Sequence, residues 1–337
     1  MKRVILLLTV VLFGCESDEM RRDRFFLQGN ESLSNKQYKV AIDFYTKVLN
    51  IDQSFARAYN NRGVAYMESD HAYEAIQDYN MAIAIDQDYI GALFNRAYAY
   101  EDVGRLEDAL ADVETVKLTF PDSAYVYFYQ GLLESKMRLY DQSATSFKKA
   151  LAYEPNNIDG KINLATLYYF QDKLDTAKSL LTEVMKDNPQ NASALNTLSQ
   201  VYLTEGDFQN ALVTINRALN IQPDDPYFLN NRGEVYLQMG EYETGLEDVN
   251  KSILLDPDNL WAYRNKGIYN LKTGNVDEAI RLLKRAVSKV ELVEQVHAYL
   301  GEAYQMKGEK QLACEEWAVG VSKKEPRSQA LLNQYCN

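Results

Sequence analysis

Seven residues are written almost identically twice: Asn60 to Tyr66 read NNRGVAY, and Asn230 to Tyr236 read NNRGEVY, 170 positions apart. That interval is five times 34. Stepping by 34 from either glycine lands on Gly29, Gly63, Ala97, Gly131, Ala165, Ser199, Gly233, Gly267 and Gly301, all small. Twelve positions further on, the frame gives Ala41, Ala75, Ala109, Ser143, Ala177, Ala211, Gly245, Ala279 and Ala313. Seven more bring Val48, Ala82, Val116, Ala150, Val184, Ala218, Ser252, Ala286 and Gly320. No insertion breaks the period from about Arg22 to Arg327. Each repeat therefore meets the same packing problem, and it buries its apolar face only against its neighbours.

Counting Arg22 as position 1, each repeat reads as two amphipathic helices. The first carries an aromatic or apolar residue at position 4 in most repeats (Phe25, Tyr59, Leu93, Tyr127, Leu195, Leu229, Tyr263) and often tyrosine at position 11. Spacings of three, four and seven share one helical face. A turn follows, glycine-bearing at Gly104, Gly206, Gly240, Gly274 and Gly308. The second helix is apolar at positions 20, 21, 24, 27 and 28. It is stopped by Pro121, Pro155, Pro189, Pro223 or Pro257, because proline cannot continue a helix and biases its predecessor away from helical angles. Small residues at positions 8, 20 and 27 let helix backbones approach closely along the stack.

Period, residues and positions together resemble the tetratricopeptide repeat. The resemblance implies an all-α fold, a right-handed α-solenoid of about nine tandem 34-residue helix-turn-helix repeats with a C-terminal capping helix. The repeats are placed at 22–55, 56–89, 90–123, 124–157, 158–191, 192–225, 226–259, 260–293 and 294–327. Residues 328–337, apolar at Ala330, Leu331, Leu332 and Tyr335, suit a cap over the ninth repeat. With no Pro/Gly/Ser-rich linker, the repeats read as one extended domain.

Comparing repeats within the chain adds a pairing. Where position 7 is Arg62, Arg96 or Arg232, position 23 is Asp78, Asp112 or Asp248; where it is Leu164 or Leu198, position 23 is Leu180 or Thr214. An arginine held between two helices needs a partner for its charge, so these residues are expected to pair across each repeat.

The first fifteen residues, MKRVILLLTVVLFGC, are different text. Two basic residues precede an apolar run from Val4 to Phe13, a secretory signal pattern too short to span a membrane. The ending LFGC resembles the lipobox of bacterial lipoproteins, which implies cleavage of residues 1–14, lipidation of Cys15 and a tether over 15–21. The expected location is the bacterial cell envelope, at the outer membrane, periplasmic or surface-facing. Losing Lys2 and Arg3 from a chain with 36 basic and 48 acidic residues leaves a net charge of −14. Such a surface repels nucleic acid phosphates and anionic lipid heads, so attachment is expected through the lipid and no nucleic acid partner is expected. Cys314 and Cys336 remain, in a compartment where disulfides persist. If the last helix folds back with its turn near Glu325, the two fall opposite each other; the alternative is two unpaired buried thiols.

No catalytic constellation is present. His71 falls in a turn, and His297 at position 4 reads as an apolar packing residue. Phosphate-binding glycine loops, Cys-x-x-Cys, His-Glu-x-x-His and Gly-x-Ser-x-Gly are all missing. The chain is read as a non-enzyme with no cofactor, metal or small-molecule substrate. The family resemblance places the concave binding face at first-helix positions 2, 5, 6, 9, 12 and 13. Transferred here, these give Asn61, Phe94, Asn95, Tyr98, Tyr125, Phe128, Tyr129, Asn163 and Tyr169 as a partner groove. Aromatic residues there suit the apolar side chains of a partner, although contact between adjacent first helices would also use them. The position-6 asparagines could bond the backbone of an extended peptide. The family's carboxylate clamp needs basic residues where this chain has Phe26, Gly91 and Asn95, so that partner is rejected. The expected function is a membrane-anchored scaffold taking a protein or peptide for envelope complex assembly. The alternative is a structural homo-oligomer using the convex face or the solenoid ends.

Overall fold

The computed structural model describes residues 17–287 and 293–336. Met1–Gly14 and Cys15, the expected signal peptide and lipidation site, lie outside the described residues. Every regular element described is an α-helix. Where the sequence reads as one extended domain, the chain divides into two compact halves, Met1–Asn157 and Ile158–Asn337, at the boundary between the fourth and fifth repeats.

The N-terminal half holds α1 (Asp18–Ser34), α2 (Tyr38–Ile51), α3 (Ala56–Met67), α4 (Ala72–Ile85), α5 (Ile90–Asp102), α6 (Leu106–Thr119), α7 (Ala124–Lys136) and α8 (Tyr140–Tyr153). The C-terminal half holds α9 (Ile158–Phe170), α10 (Leu174–Asp187), α11 (Ala192–Thr204), α12 (Phe208–Ile221), α13 (Pro226–Met239), α14 (Tyr242–Leu255), α15 (Leu260–Lys272), α16 (Val276–Val287), α17 (Val296–Lys307), α18 (Lys310–Ser322) and α19 (Pro326–Tyr335). Within each half, helices pack in consecutive pairs, and each pair packs on the next. None of the described helices is long and apolar enough to cross a membrane.

Local chemistry fixes the boundaries. The second helices α6, α8, α10, α12 and α14 each end two residues before a proline. The turn between the helices of a repeat requires a left-handed residue at position 15 throughout. Glycine supplies it in five repeats, with φ from 75° to 86°, while Lys36, Asp70, Arg138 and Asp172 adopt φ of 58° to 62° in the others. Sequence periodicity saw this turn only where glycine marked it. One boundary departs from expectation: residues 18–21, read as tether, are the first turn of α1. Ser17 caps that turn by accepting a bond from the Met20 amide at 3.2 Å.

Within each half, position-8 and position-24 contacts recur from repeat to repeat in the core. Gly63 lies so close to Tyr79 that a Cβ there would fall 2.6 Å from the ring. At the far end of the chain, α19 closes the last repeat. Its Tyr335 falls at the next position 8, where all nine preceding repeats carry a small residue, and it stacks on Trp317 at 5.7 Å between centroids. Among the described residues no further second helix packs against it, so a large side chain is admitted there. Glu325, at the turn, accepts from the amides of His297 (3.4 Å) and Ala298 (3.0 Å) and from the Ser328 hydroxyl (2.6 Å). His297, read as an apolar packing residue, is buried but polar in role: its Nδ1 lies 2.8 Å from Glu316.

Cys314 and Cys336 form a disulfide, with Cα atoms 5.8 Å apart across 22 residues of sequence. Closing a loop of that length restricts the unfolded chain by about 3 kcal/mol. Reduction with dithiothreitol should therefore release the α19 amides to hydrogen exchange by roughly two orders of magnitude while leaving those of α1 to α8 unchanged.

Candidate partner-binding face

The tetrad Asn-Asn-Arg-Gly occupies positions 5 to 8 of the first helix, and each member has a packing partner. In the second repeat, Arg62 sends Nε and a terminal nitrogen to the two carboxylate oxygens of Asp78, both at 2.7 Å, and a third nitrogen to Thr46 at 3.0 Å. Arg96 and Asp112 repeat this at 2.7 and 2.6 Å, and Arg232 and Asp248 at 2.6 and 2.8 Å. Burial pushes the Asp78 carboxyl up against the opposing pull of Arg62.

The asparagines form a ladder between repeats. Asn95 donates to Asn60 at 3.0 Å, Asn60 to Asn61 at 3.0 Å, and Asn61 to Asn30 at 2.9 Å. In the C-terminal half, Asn265 donates to Asn230 at 2.9 Å, Asn230 to Asn231 at 3.2 Å, and Asn231 to Asn196 at 2.8 Å. Asn61 and Asn95, expected to reach a peptide backbone, thus spend these amide donors on neighbouring repeats. Asn163 donates to the carbonyl of Asp159, one turn earlier in its own helix, at 2.9 Å. Asn265 is fully buried and also accepts from Arg264 Nε at 3.1 Å. Asn265→Ala should cost about 1–3 kcal/mol, because it strands buried polar groups on Asn230 and Arg264. Amide exchange of α13 and α15 reads this directly.

The aromatic residues of the N-terminal half converge between α5 and α7. Phe94 meets Tyr98, Tyr125 and Tyr129 at 5.3, 5.5 and 5.4 Å between ring centroids, and Tyr98 meets Tyr129 at 4.3 Å. The hydroxyls of Tyr98 and Tyr125 are hydrogen-bonded to each other. Tyr129 is buried, and its hydroxyl donates to Glu101 at 2.7 Å, beside Lys136 on the same carboxylate at 2.7 Å. Burial first, and then the bond to Glu101, push the Tyr129 phenol far above its ordinary range; burial and Tyr125 do the same to Tyr98. Both stay protonated hydrogen-bonding groups at neutral pH. Phe128 turns to Phe147 on α8, ring to ring at 5.5 Å. The groove expected from sequence therefore resolves here into a packed cluster with one open rim, Tyr125, 57% exposed, with Phe94 and Tyr98 half-buried behind it.

Tyr169 belongs to the other half, packed against Phe170 at 5.4 Å. Burial pushes its phenol up. On the first-helix side of the C-terminal half, one group went unread in the sequence. Buried Arg264 pairs with Glu234 at 2.7 Å and donates to the carbonyl of Glu294 at 2.9 Å, while Trp261 Nε1 donates to the Glu294 carboxylate at 2.7 Å. Burial opposes the Arg264 charge most strongly, but Glu234 together with Tyr299, Glu294 and Tyr169 outweighs it, so the guanidinium is held above its ordinary value. The available signal was position 5, which is arginine in this repeat alone and Asn, Phe, Ile or Ala elsewhere. These contacts pin the segment before α17 and leave Arg264 little freedom for a ligand. Among the described residues, no group of three or more His, Cys, Asp or Glu side chains is placed to hold a metal ion.

Models of the tetratricopeptide repeat match residues 56–89, 171–233 and 230–295. Among solved structures, the chain is similar to the Cut9–Hcn1 hetero-tetramer of the APC/C, at 13% identity and TM-score 0.60, covering 96% of this chain and 78% of that one. It is similar to yeast Tom70 at 17% identity and TM-score 0.57, covering 89% and 67%. It is also similar to pilF of Pseudomonas aeruginosa at 20% identity and TM-score 0.52, covering 64% and 99%. At these identities the likeness speaks to the fold alone. With the repeat models matching both halves and each tetrad residue playing the same part in both, the chain is a tetratricopeptide-repeat protein.

Proposed function

We propose that the chain is a non-catalytic scaffold, anchored through a lipid on Cys15 in a bacterial cell envelope, that takes a protein or peptide partner on the first-helix face of its N-terminal half. Repeat solenoids of this family serve protein–protein interaction, and the aromatic rim supports that use here. The observation that carries the reading is Tyr125, exposed at the edge of a cluster whose other rings are already fixed by mutual contact. Such a rim offers apolar area at little cost in side-chain ordering. Phe94, inside the cluster, and Phe128, against Phe147, are packing residues, so Phe94→Glu or Phe128→Glu would disturb the fold, whereas Tyr125→Glu leaves it standing. An end-to-end homo-oligomer gains no support at the C-terminal end, which α19 already covers.

The test compares affinity capture from native membranes by wild type and Tyr125→Glu, with thermal melts to confirm equal folding. Loss of a central aromatic contact is worth roughly 2 kcal/mol or more, about thirtyfold in affinity. A partner held by the wild type and lost from the folded variant supports the face; identical captures contradict it. Labelled palmitate incorporation, abolished by Cys15→Ser, tests the anchor separately.

A further inference from the structure

One edge of the N-terminal half combines two features with no common packing reason. In each repeat the first helix starts, and the second helix ends, on the same edge. Arg22 in the first repeat's opening turn bonds Asp52 after its last, at 3.2 Å, and the hydroxyl of Tyr153, the last residue of α8, bonds Asp122, before α7 begins, at 2.9 Å. This is also the edge from which the N-terminal segment leaves. Cys15 precedes Asp18, the first residue of α1, by three positions, so their Cα atoms are at most about 11 Å apart.

The same edge exposes large apolar side chains repeat after repeat. Met20 stands in the first turn of α1, followed by Ile85, Leu118, Phe120 and Tyr153 at or just beyond the ends of α4, α6 and α8. Leu118 is 81% exposed and Phe120 49%. Leu118 and Phe120 with this much exposure serve no core, and a leucine left in water forgoes the gain of burying its side chain. On the opposite edge of this half, where the left-handed turns lie, only Val40 and Tyr73 among the described residues are comparably exposed.

We propose that this edge of the N-terminal half lies on the bilayer, with Leu118 and Phe120 entering the headgroup region. The proposal rests on the reading that Cys15 carries the lipid. Anchoring at Cys15 holds the edge beside the membrane at high effective concentration, so contacts too weak to bind alone become populated. Leucine, phenylalanine and tyrosine are the side chains that interfacial segments bury. Asp52, Asp86, Asp88, Asp122 and Glu154 share the edge, which selects zwitterionic headgroups and disfavours anionic ones.

The experiment uses the full chain, palmitate-labelled during expression and reconstituted into vesicles of phosphatidylethanolamine and brominated phosphatidylcholine. Leu118→Trp and Tyr73→Trp each add an exposed tryptophan to the same background, the first on the docking edge and the second opposite. The proposal expects the emission added by Leu118→Trp to be largely lost and that added by Tyr73→Trp to persist. It also expects added phosphatidylglycerol to weaken the quenching. Equal quenching of the two, with the palmitate label present, overturns the docking edge and leaves the anchor standing. Absence of the label overturns the anchor and the docking edge together. Stronger quenching with phosphatidylglycerol overturns the assignment to zwitterionic lipid.

Discussion

Arg62→Leu alone should destabilise the second repeat by about 3–5 kcal/mol, whereas Arg62→Leu with Asp78→Leu should cost little. The single change leaves the Asp78 carboxylate, its side chain only 6% exposed, without the guanidinium that now bonds both its oxygens. Removing both charges removes the uncompensated burial as well. The chain already contains that solution, since the fifth repeat carries Leu164 and Leu180 at the same two positions.

The pH dependence has a definite sign. Burial raises the Asp78 carboxyl in the folded protein, so the protonated form is favoured by folding. The single variant's deficit is then fully present at neutral pH, where the carboxylate is ionised. It shrinks as pH falls toward the ordinary carboxylate range. Stacked repeats need not unfold in one step, so amide exchange of α3 and α4 is a better readout than a global melt. A double variant as unstable as the single one would show that the pair supplies more than mutual neutralisation.

Gly301→Ala should destabilise the last repeat by about 2–4 kcal/mol, even though alanine is the better helix former by roughly 1 kcal/mol. The added Cβ would sit 2.5 Å from Trp317 Cδ1 and 2.7 Å from its Cε2. That ring has nowhere to go: it is wholly buried, its Nε1 donates to the Ala298 carbonyl at 3.1 Å, and Tyr335 stacks on it. A retreat would leave the indole N–H unpaired in the core. Calorimetry of the full chain, with exchange at α17 and α18, checks this; a neutral or stabilising result would mean that the ring can shift freely.

These two substitutions also mark how much could be read beforehand. The arginine–aspartate pairs were legible because both partners lie in one repeat and change together across repeats. Smallness at position 8 was legible too, but not what sets it. All four repeats with an aromatic residue at position 24, namely Tyr45, Tyr79, Phe147 and Trp317, have glycine at position 8, while Ala97 and Ala165 face the smaller Val113 and Leu181. The asparagine ladder was not legible. Its bonds run between repeats, Asn95 to Asn60 across 35 residues, and a single repeat read alone shows an amide with nothing to do. The state of the aromatic positions was not legible: sequence position cannot tell an open pocket from rings that fill one another. Tyr129, read as groove lining, is core, and Tyr125 is its exposed edge. The early start of α1 turned on Ser17, a capping residue that the tether reading passed over.

The asparagine, arginine and glycine of the recurring tetrad thus hold the repeats together, and the proposed partner recognition would fall to what they leave exposed on the first helices. Site-specific photo-crosslinking in living cells tests that division most directly, with a photoreactive residue placed singly at Leu27, Gly91 and Tyr125 on the first-helix face and at Met81 on the second-helix side. The account predicts one shared adduct from the first three sites, strongest at Tyr125, and none of it from Met81. The same adduct from Met81, with none from Tyr125, would contradict it.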